Sequence, residues 1–171
     1  MKLVRPLSAD YNGDSHHFEA RGTQNLACPF FMPVSKLENG SWPHPSRLPL
    51  GGGWTGHCTA PGHEAQTPAQ GIVESFCNLG YADGCSWAPS QRAWDSVRFA
   101  VSSPRATNRN TADFPRRTLR VLYVCERDHR PITHGELTFD LATSTWLCRH
   151  DEPPVQKMAE CFLDSYLNKK A

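Results

Sequence analysis

The sequence contains no apolar run close to the roughly 20 residues that a membrane-crossing helix needs. A secretory leader is missing as well. Met1 to Ala20 begins with basic residues but passes at once to Ser8-Ala9-Asp10-Tyr11-Asn12-Gly13-Asp14, without an apolar core segment. These absences set the expectation of a soluble, cytoplasmic protein with no membrane partner. Charge of one sign is lacking too. Eighteen Lys and Arg against 17 Asp and Glu leave a formal net charge of +1, and no basic stripe with interleaved aromatics occurs, so nucleic acid is not an expected partner. Arg105, Arg109, Arg116 and Arg117 form a local basic stretch, read as a solvated loop. Gly51-Gly52-Gly53 is not a phosphate loop, because no Gly-Lys-Ser/Thr follows it and no strand is expected before it. No carboxylate pair or Ser-His-Asp signature stands out.

What the chain does have is cysteine, proline and glycine: seven, 14 and 12 residues respectively. An odd cysteine count in a reducing compartment disfavours a disulfide framework. The thiols are then core fillers, nucleophiles or metal ligands. A length of 171 residues suits a single domain. Within it we distinguish a mobile lead over 1–24, a cysteine-bearing, metal-binding region over 25–95, and a sheet-and-helix region over 96–171. The adjacent His16 and His17 in the lead have no further ligand nearby and read as surface.

From Leu26 to about Pro68 the prolines predict irregular backbone, since each removes a donor and restricts its predecessor. A loop of that length in a compact domain needs something to order it. A short helix is expected next, with Thr67 as N-cap, Pro68 at the first position, Gln70 completing a capping box, and Ile72, Val73 and Phe76 on its apolar face. Gly80 ends it, which puts Cys77 in the last turn and Cys85 in the loop beyond. Residues 97–103, 118–126, 136–141 and 145–149 carry strand patterns and predict an antiparallel meander of about four strands. Val155, Met158, Ala159, Phe162, Leu163 and Tyr166 recur at helical spacing after Pro153-Pro154, and that face is expected to pack on the sheet. The fold class expected is α+β.

These elements sort the cysteines. Cys161 falls about 140° from the centre of the helix stripe and is expected to face solvent. Cys125 shares strand parity with Leu119, Val121 and Tyr123 and reads as a buried hydrophobe. Cys148 reads as strand-end packing. Cys28, Cys58, Cys77 and Cys85 remain, each at a Pro, Gly or helix-end position, with 29, 18 and seven residues between them. That spacing matches neither a ferredoxin run nor paired zinc knuckles. Four thiolates without other donors suit a 4Fe-4S cluster, and Leu26, Phe30, Phe31, Trp54, Phe76 and Trp87 lie near enough in sequence to exclude water from it. Zinc is the alternative, held by the same four or by three of them with His57 or His63. A Cys58–histidine nucleophile is a further reading, which the opposite orientation of adjacent extended residues disfavours for His57.

The stretches Cys28-Pro29-Phe30, Leu48-Pro49-Leu50-Gly51, Trp54-Thr55-Gly56-His57-Cys58, Cys77-Asn78-Leu79-Gly80-Tyr81-Ala82 and Cys125-Glu126-Arg127-Asp128-His129-Arg130-Pro131 resemble a family of small, uncharacterised bacterial proteins with four spaced cysteines. The resemblance extends to the terminal helix over Gln156 to Leu167 and covers most of residues 26–168. It implies that the first four cysteines are the shared ones; it implies no activity and does not separate iron from zinc. The leading expectation is an iron–sulfur protein in electron transfer or redox sensing, which would imply a redox partner protein. A zinc-stabilised interaction module and a cluster enzyme with an open iron site are the alternatives. The polar group Glu126, Arg127, Asp128, His129, His134 and Glu136 reads either as a hairpin turn or as a connection facing the metal centre.

Overall fold

Strand pairing and one long helix organise the chain, seen here in a computed structural model that describes residues 26–37, 48–102 and 118–169. The lead with His16 and His17, and the basic stretch from Arg105 to Arg117, lie outside the described residues. The architecture is α+β. A two-stranded ribbon joins β1 (Phe31–Lys36) and β2 (Trp54–Cys58). A short α1 (Gln70–Ile72) runs on as a π-helical segment over Val73–Cys77, and a 3₁₀ turn covers Ala82–Gly84. Then β3 (Ser96–Ser102), β4 (Thr118–Arg127), β5 (Arg130–Asp140) and β6 (Thr145–Cys148) form an antiparallel meander in that order. The chain closes with α2 (Pro153–Asn168). Among the described residues no helix is long and apolar enough to cross a membrane.

The meander follows its alternation. Val97 pairs with Cys125 and Val121 with Leu137, so the expected apolar face of β4 is the face that meets α2. A bulge between Cys125 and Glu126 breaks the alternation and turns both side chains inward. β5 starts at Arg130, six residues before the expected Glu136. Asp128 and His129 make the connection a two-residue turn with φ of 50° and 59°, the left-handed geometry that matches hairpin twist. The hairpin reading of this polar stretch is therefore the observed one.

Three local expectations are corrected. The stretch 26–68, expected to be irregular, carries β1 and β2. Pro33 obscured β1, and the ribbon tolerates it at a bulge between Pro33 and Ser35. Gly56 is required there: a Cβ would stand 2.1 Å from the Met32 carbonyl oxygen. The short helix starts later than expected, with Ala69 rather than Thr67 at the N-cap position and no side-chain cap. Pro68 is buried instead of opening the helix, and Gln70 reaches forward to Glu74. Cys161 is buried, not exposed. The stripe underestimated its arc because α2 is flanked twice. Val155, Met158 and Cys161 join the core that includes Phe31 and Leu50, while Ala159 and Leu163 join Val121 and Leu137 of the sheet. Burying Val155, Met158 or Leu163 contributes roughly 1.5–3 kcal/mol each, the smaller Ala159 less.

Candidate metal centre

The ribbon and the sheet together place the first two cysteines. Ala27 exchanges backbone hydrogen bonds with Val97 of β3, at 2.8 and 2.9 Å, which lays Cys28 along the sheet edge. Three residues on, Phe31 is in register with Cys58, so the end of β2 returns beside Cys28. The burial alternation of β2 turns Trp54, Gly56 and Cys58 to one side and leaves His57 off it. Both cysteines share a local device. The N–H groups of Phe30 and Phe31 fold back on the Cys28 thiol, and the Ala60 N–H donates to Cys58 Sγ at 3.4 Å.

The π-helical segment places the third. Its wider turn is closed by Asn78, whose N–H donates to the Val73 carbonyl at 3.1 Å. The Asn78 side chain is fully buried. Its Oδ1 accepts the Trp54 N–H at 3.0 Å, and its Nδ2 donates to the Trp54 and Val73 carbonyls at 2.9 and 3.3 Å. This amide clamps the helix to the start of β2. The Cys77 carbonyl then accepts the Cys28 N–H at 3.3 Å. Gly80 lets the chain leave the helix, since a Cβ there would lie 2.3 Å from the Ser75 carbonyl oxygen. Cys85 follows the 3₁₀ turn, its N–H on the Ala82 carbonyl at 3.0 Å and its carbonyl accepting from Ala88 at 3.1 Å.

All four predicted cysteines line one narrow pocket, with an enclosed space of about 10 Å³. The rest of its wall is apolar: Phe30, Phe31, Pro68, Ile72 and Trp87, with Ala60 and Ala88. Cys28, Cys58 and Cys77 are buried and Cys85 is half-exposed. Each of the four lies within electrostatic reach of the other three. Burial pushes the Cys28 thiol up to about 12, the Phe30 N–H opposes it, and Cys85 and Cys58 add to it. Burial raises Cys77 strongly, with Cys28 the next cause, and raises Cys58 against the Ala60 N–H. Left to themselves these thiols stay protonated and are poor nucleophiles. A cationic metal group reverses that, because a coordinated thiol is deprotonated outright. Among the described residues no three His, Cys, Asp or Glu side chains stand close enough together to hold a single metal ion.

The remaining cysteines stay apart from the pocket. Cys125 is fully buried in the adjoining core, Cys161 is buried under α2, and Cys148 is exposed at the end of β6. Neither His57 nor His63 lines the pocket; His63 instead stacks on Trp87, with ring centroids 4.4 Å apart and planes within 1°. Of the aromatic and apolar residues expected as its wall, Phe30, Phe31 and Trp87 serve, whereas Leu26, Trp54 and Phe76 do not. Pro68, Ile72 and the two alanines take their place.

Asp95 and Arg92, which the sequence did not single out, join Glu126 of the polar stretch as supports of the site. Asp95 is 1% exposed; it pairs with Arg92 and accepts the Asp128 N–H at 2.9 Å. Glu126 is 2% exposed, pairs with Arg98 at 2.7 Å and accepts the Tyr81 hydroxyl at 2.6 Å. The Ala82 N–H meets the Asp95 carbonyl at 2.8 Å, so this network fastens the Cys85 loop to the β4–β5 hairpin. His129 packs its ring on Tyr81. Arg127, Asp128, His129 and His134 do not line the pocket. The hairpin supports the site from behind.

Comparison with known proteins finds no match: no family model, no curated protein and no solved structure matches this chain.

Proposed function

We propose that the chain is an iron–sulfur protein that binds a 4Fe-4S cluster through Cys28, Cys58, Cys77 and Cys85 and works in electron transfer or redox sensing. The convergence of four sequence-distant thiols on one apolar pocket carries this reading. Zinc bound at about 2.3 Å by four sulfurs would draw them to about 3.8 Å from one another. A 4Fe-4S group takes four thiolates and no other donor, and neither His57 nor His63 lines the pocket beside the four cysteines. The backbone N–H groups aimed at Cys28 and Cys58 and the apolar wall are the features that set a cluster's potential. The reducing cytoplasm is the setting in which such thiols remain available, and an electron-transfer role entails a redox partner protein. The resemblance to a bacterial four-cysteine family agrees with this ligand set.

Anaerobic purification followed by iron and acid-labile sulfide analysis and a visible spectrum tests the proposal. A brown protein with equal iron and sulfide is expected. A colourless protein carrying stoichiometric zinc would replace it with the zinc-stabilised module.

A further inference from the structure

The four thiols are not equivalent, and the difference is systematic. Cys28, Cys58 and Cys77 are 5%, 9% and 6% exposed, whereas Cys85 is half-exposed and flanked by exposed Gly84 and Ser86. The first three are tied to one another and to regular structure. Cys28 follows the bridge to β3 and bonds Cys77, Cys58 closes the ribbon opposite Phe31, and Cys77 precedes the buried Asn78 clamp. Among the described residues, the backbone bonds of Cys85 run to Ala82 and Ala88 of its own loop. Three ligands form the floor of the pocket and the fourth stands at its mouth.

We propose that Cys85 is the exchangeable ligand of the centre, the corner at which an oxidant removes one iron while the other three thiolates keep the rest. This rests on the cluster reading above, and it assigns the site to oxidant sensing. The chemistry balances. A one-electron oxidant such as ferricyanide takes one electron from the [4Fe-4S]²⁺ state and becomes ferrocyanide. The iron at Cys85 then leaves as Fe²⁺, breaking its bonds to Cys85 and to the three sulfides it shares. A [3Fe-4S]¹⁺ group remains on Cys28, Cys58 and Cys77, and the freed Cys85 thiolate takes a proton from water.

The test uses the anaerobic, cluster-loaded full chain. Ferricyanide is added in the presence of iodoacetamide, and iron, sulfide, the electron paramagnetic resonance spectrum and the alkylated cysteines are followed together. Loss of one iron without sulfide, a three-iron signal and new alkylation of Cys85 alone are expected. Cys148, already exposed, labels before and after. New alkylation of Cys28, Cys58 or Cys77 in place of Cys85, labelling of all four in step, or no iron release would overturn the assignment. As a second arm, Cys85→Ala should retain a three-iron group while Cys77→Ala retains none; equal loss in both counts against it. A wild-type chain without iron and sulfide sinks the underlying cluster reading instead.

Discussion

Residues 96–169 and residues 26–95 hold their shape by different means. The first region is built on ladders: β4 pairs along its length with β3 on one side and β5 on the other, and α2 covers the face they share. Its small core of Val121, Leu137, Ala159 and Leu163 is packed, among the described residues, by side chains of the same region. The second region has a short ribbon, little more than two helical turns and a 3₁₀ turn. Its core residues wrap a pocket walled by thiols. A region so poor in backbone ladders needs another source of order, and the proposed metal group would supply it, because metal affinity is folding free energy where the site does not exist in the unfolded chain.

The sharpest way to break this contrast is to exchange one cysteine from each class. Cys77→Ser is expected to abolish iron binding and to leave 26–95 poorly ordered. Cys125→Ala deletes an equally buried thiol outside the pocket and should keep full iron content, at a stability cost of about 1–2 kcal/mol from lost packing. Iron analysis and urea midpoints of the two variants, side by side, measure it. Equal iron loss in both would show that the pocket has no special claim on its four sulfurs.

Metal removal should separate the regions in the same molecule. Amides of β1, β2 and the segment Val73–Cys77 are expected to lose hydrogen-exchange protection in strong chelator, while those of β4 and β5 retain it. Uniform loss would mean that the two regions fold as one cooperative unit. Uniform retention would mean that the ribbon and the Asn78 clamp suffice without metal.

The clamp itself is the next target. Asn78→Ala removes three side-chain hydrogen bonds and leaves the Trp54 N–H buried without that partner, which should cost about 3 kcal/mol. Iron should also be released faster, since Cys77 adjoins the clamp. A change below about 0.5 kcal/mol would show that water or a shifted backbone replaces the amide.

How far these features were legible in the sequence follows the same divide. Period-two alternation in 118–126 and 145–149, and the helical stripe after Pro154, marked β4, β6 and α2 nearly to the residue, whereas β5 begins six residues before its expected start. Cys28, Cys58, Cys77 and Cys85 line one pocket, but not for the reason read from the sequence: Cys58 ends a strand and Cys77 a π-helical segment, neither of them irregular backbone. Other features had no local signal. β1 was hidden by Pro33, whose bulge depends on its partner strand. Asn78 reads as an ordinary helix-end residue until β2 arrives against it. Cys161 was misplaced because a wheel counts one buried stripe and cannot register a second flank. Asp95 looks like a surface carboxylate, and Glu126 was singled out only as part of a polar stretch; the bulge at Cys125 and the folding back of the Cys85 loop bury them.

Alkaline titration gives the smallest expected effect, and it probes the buried thiols outside the pocket. Burial pushes Cys125 and Cys161 up to about 12 from an ordinary 9.0. Burial and the bond to Glu126 push Tyr81 up to about 12 from 10.0. In each case the folded chain keeps the proton longer than the unfolded one. The stabilisation is therefore complete below pH 9.0, the ordinary thiol value, and is lost as the pH rises towards about 12. Urea midpoints should fall over that window, less steeply in Cys125→Ala and in Cys161→Ala than in the wild type. Tyr81→Phe should shallow only the upper part, above pH 10.0. Pocket thiolates bound to metal would not contribute to this loss, so the metal-loaded chain should show the slope of Cys125, Cys161, Tyr81 and Tyr123, the last also raised by burial, and the metal-free chain a steeper one. Identical slopes in the two forms would mean that the pocket thiols keep their protons in both, contrary to ligation.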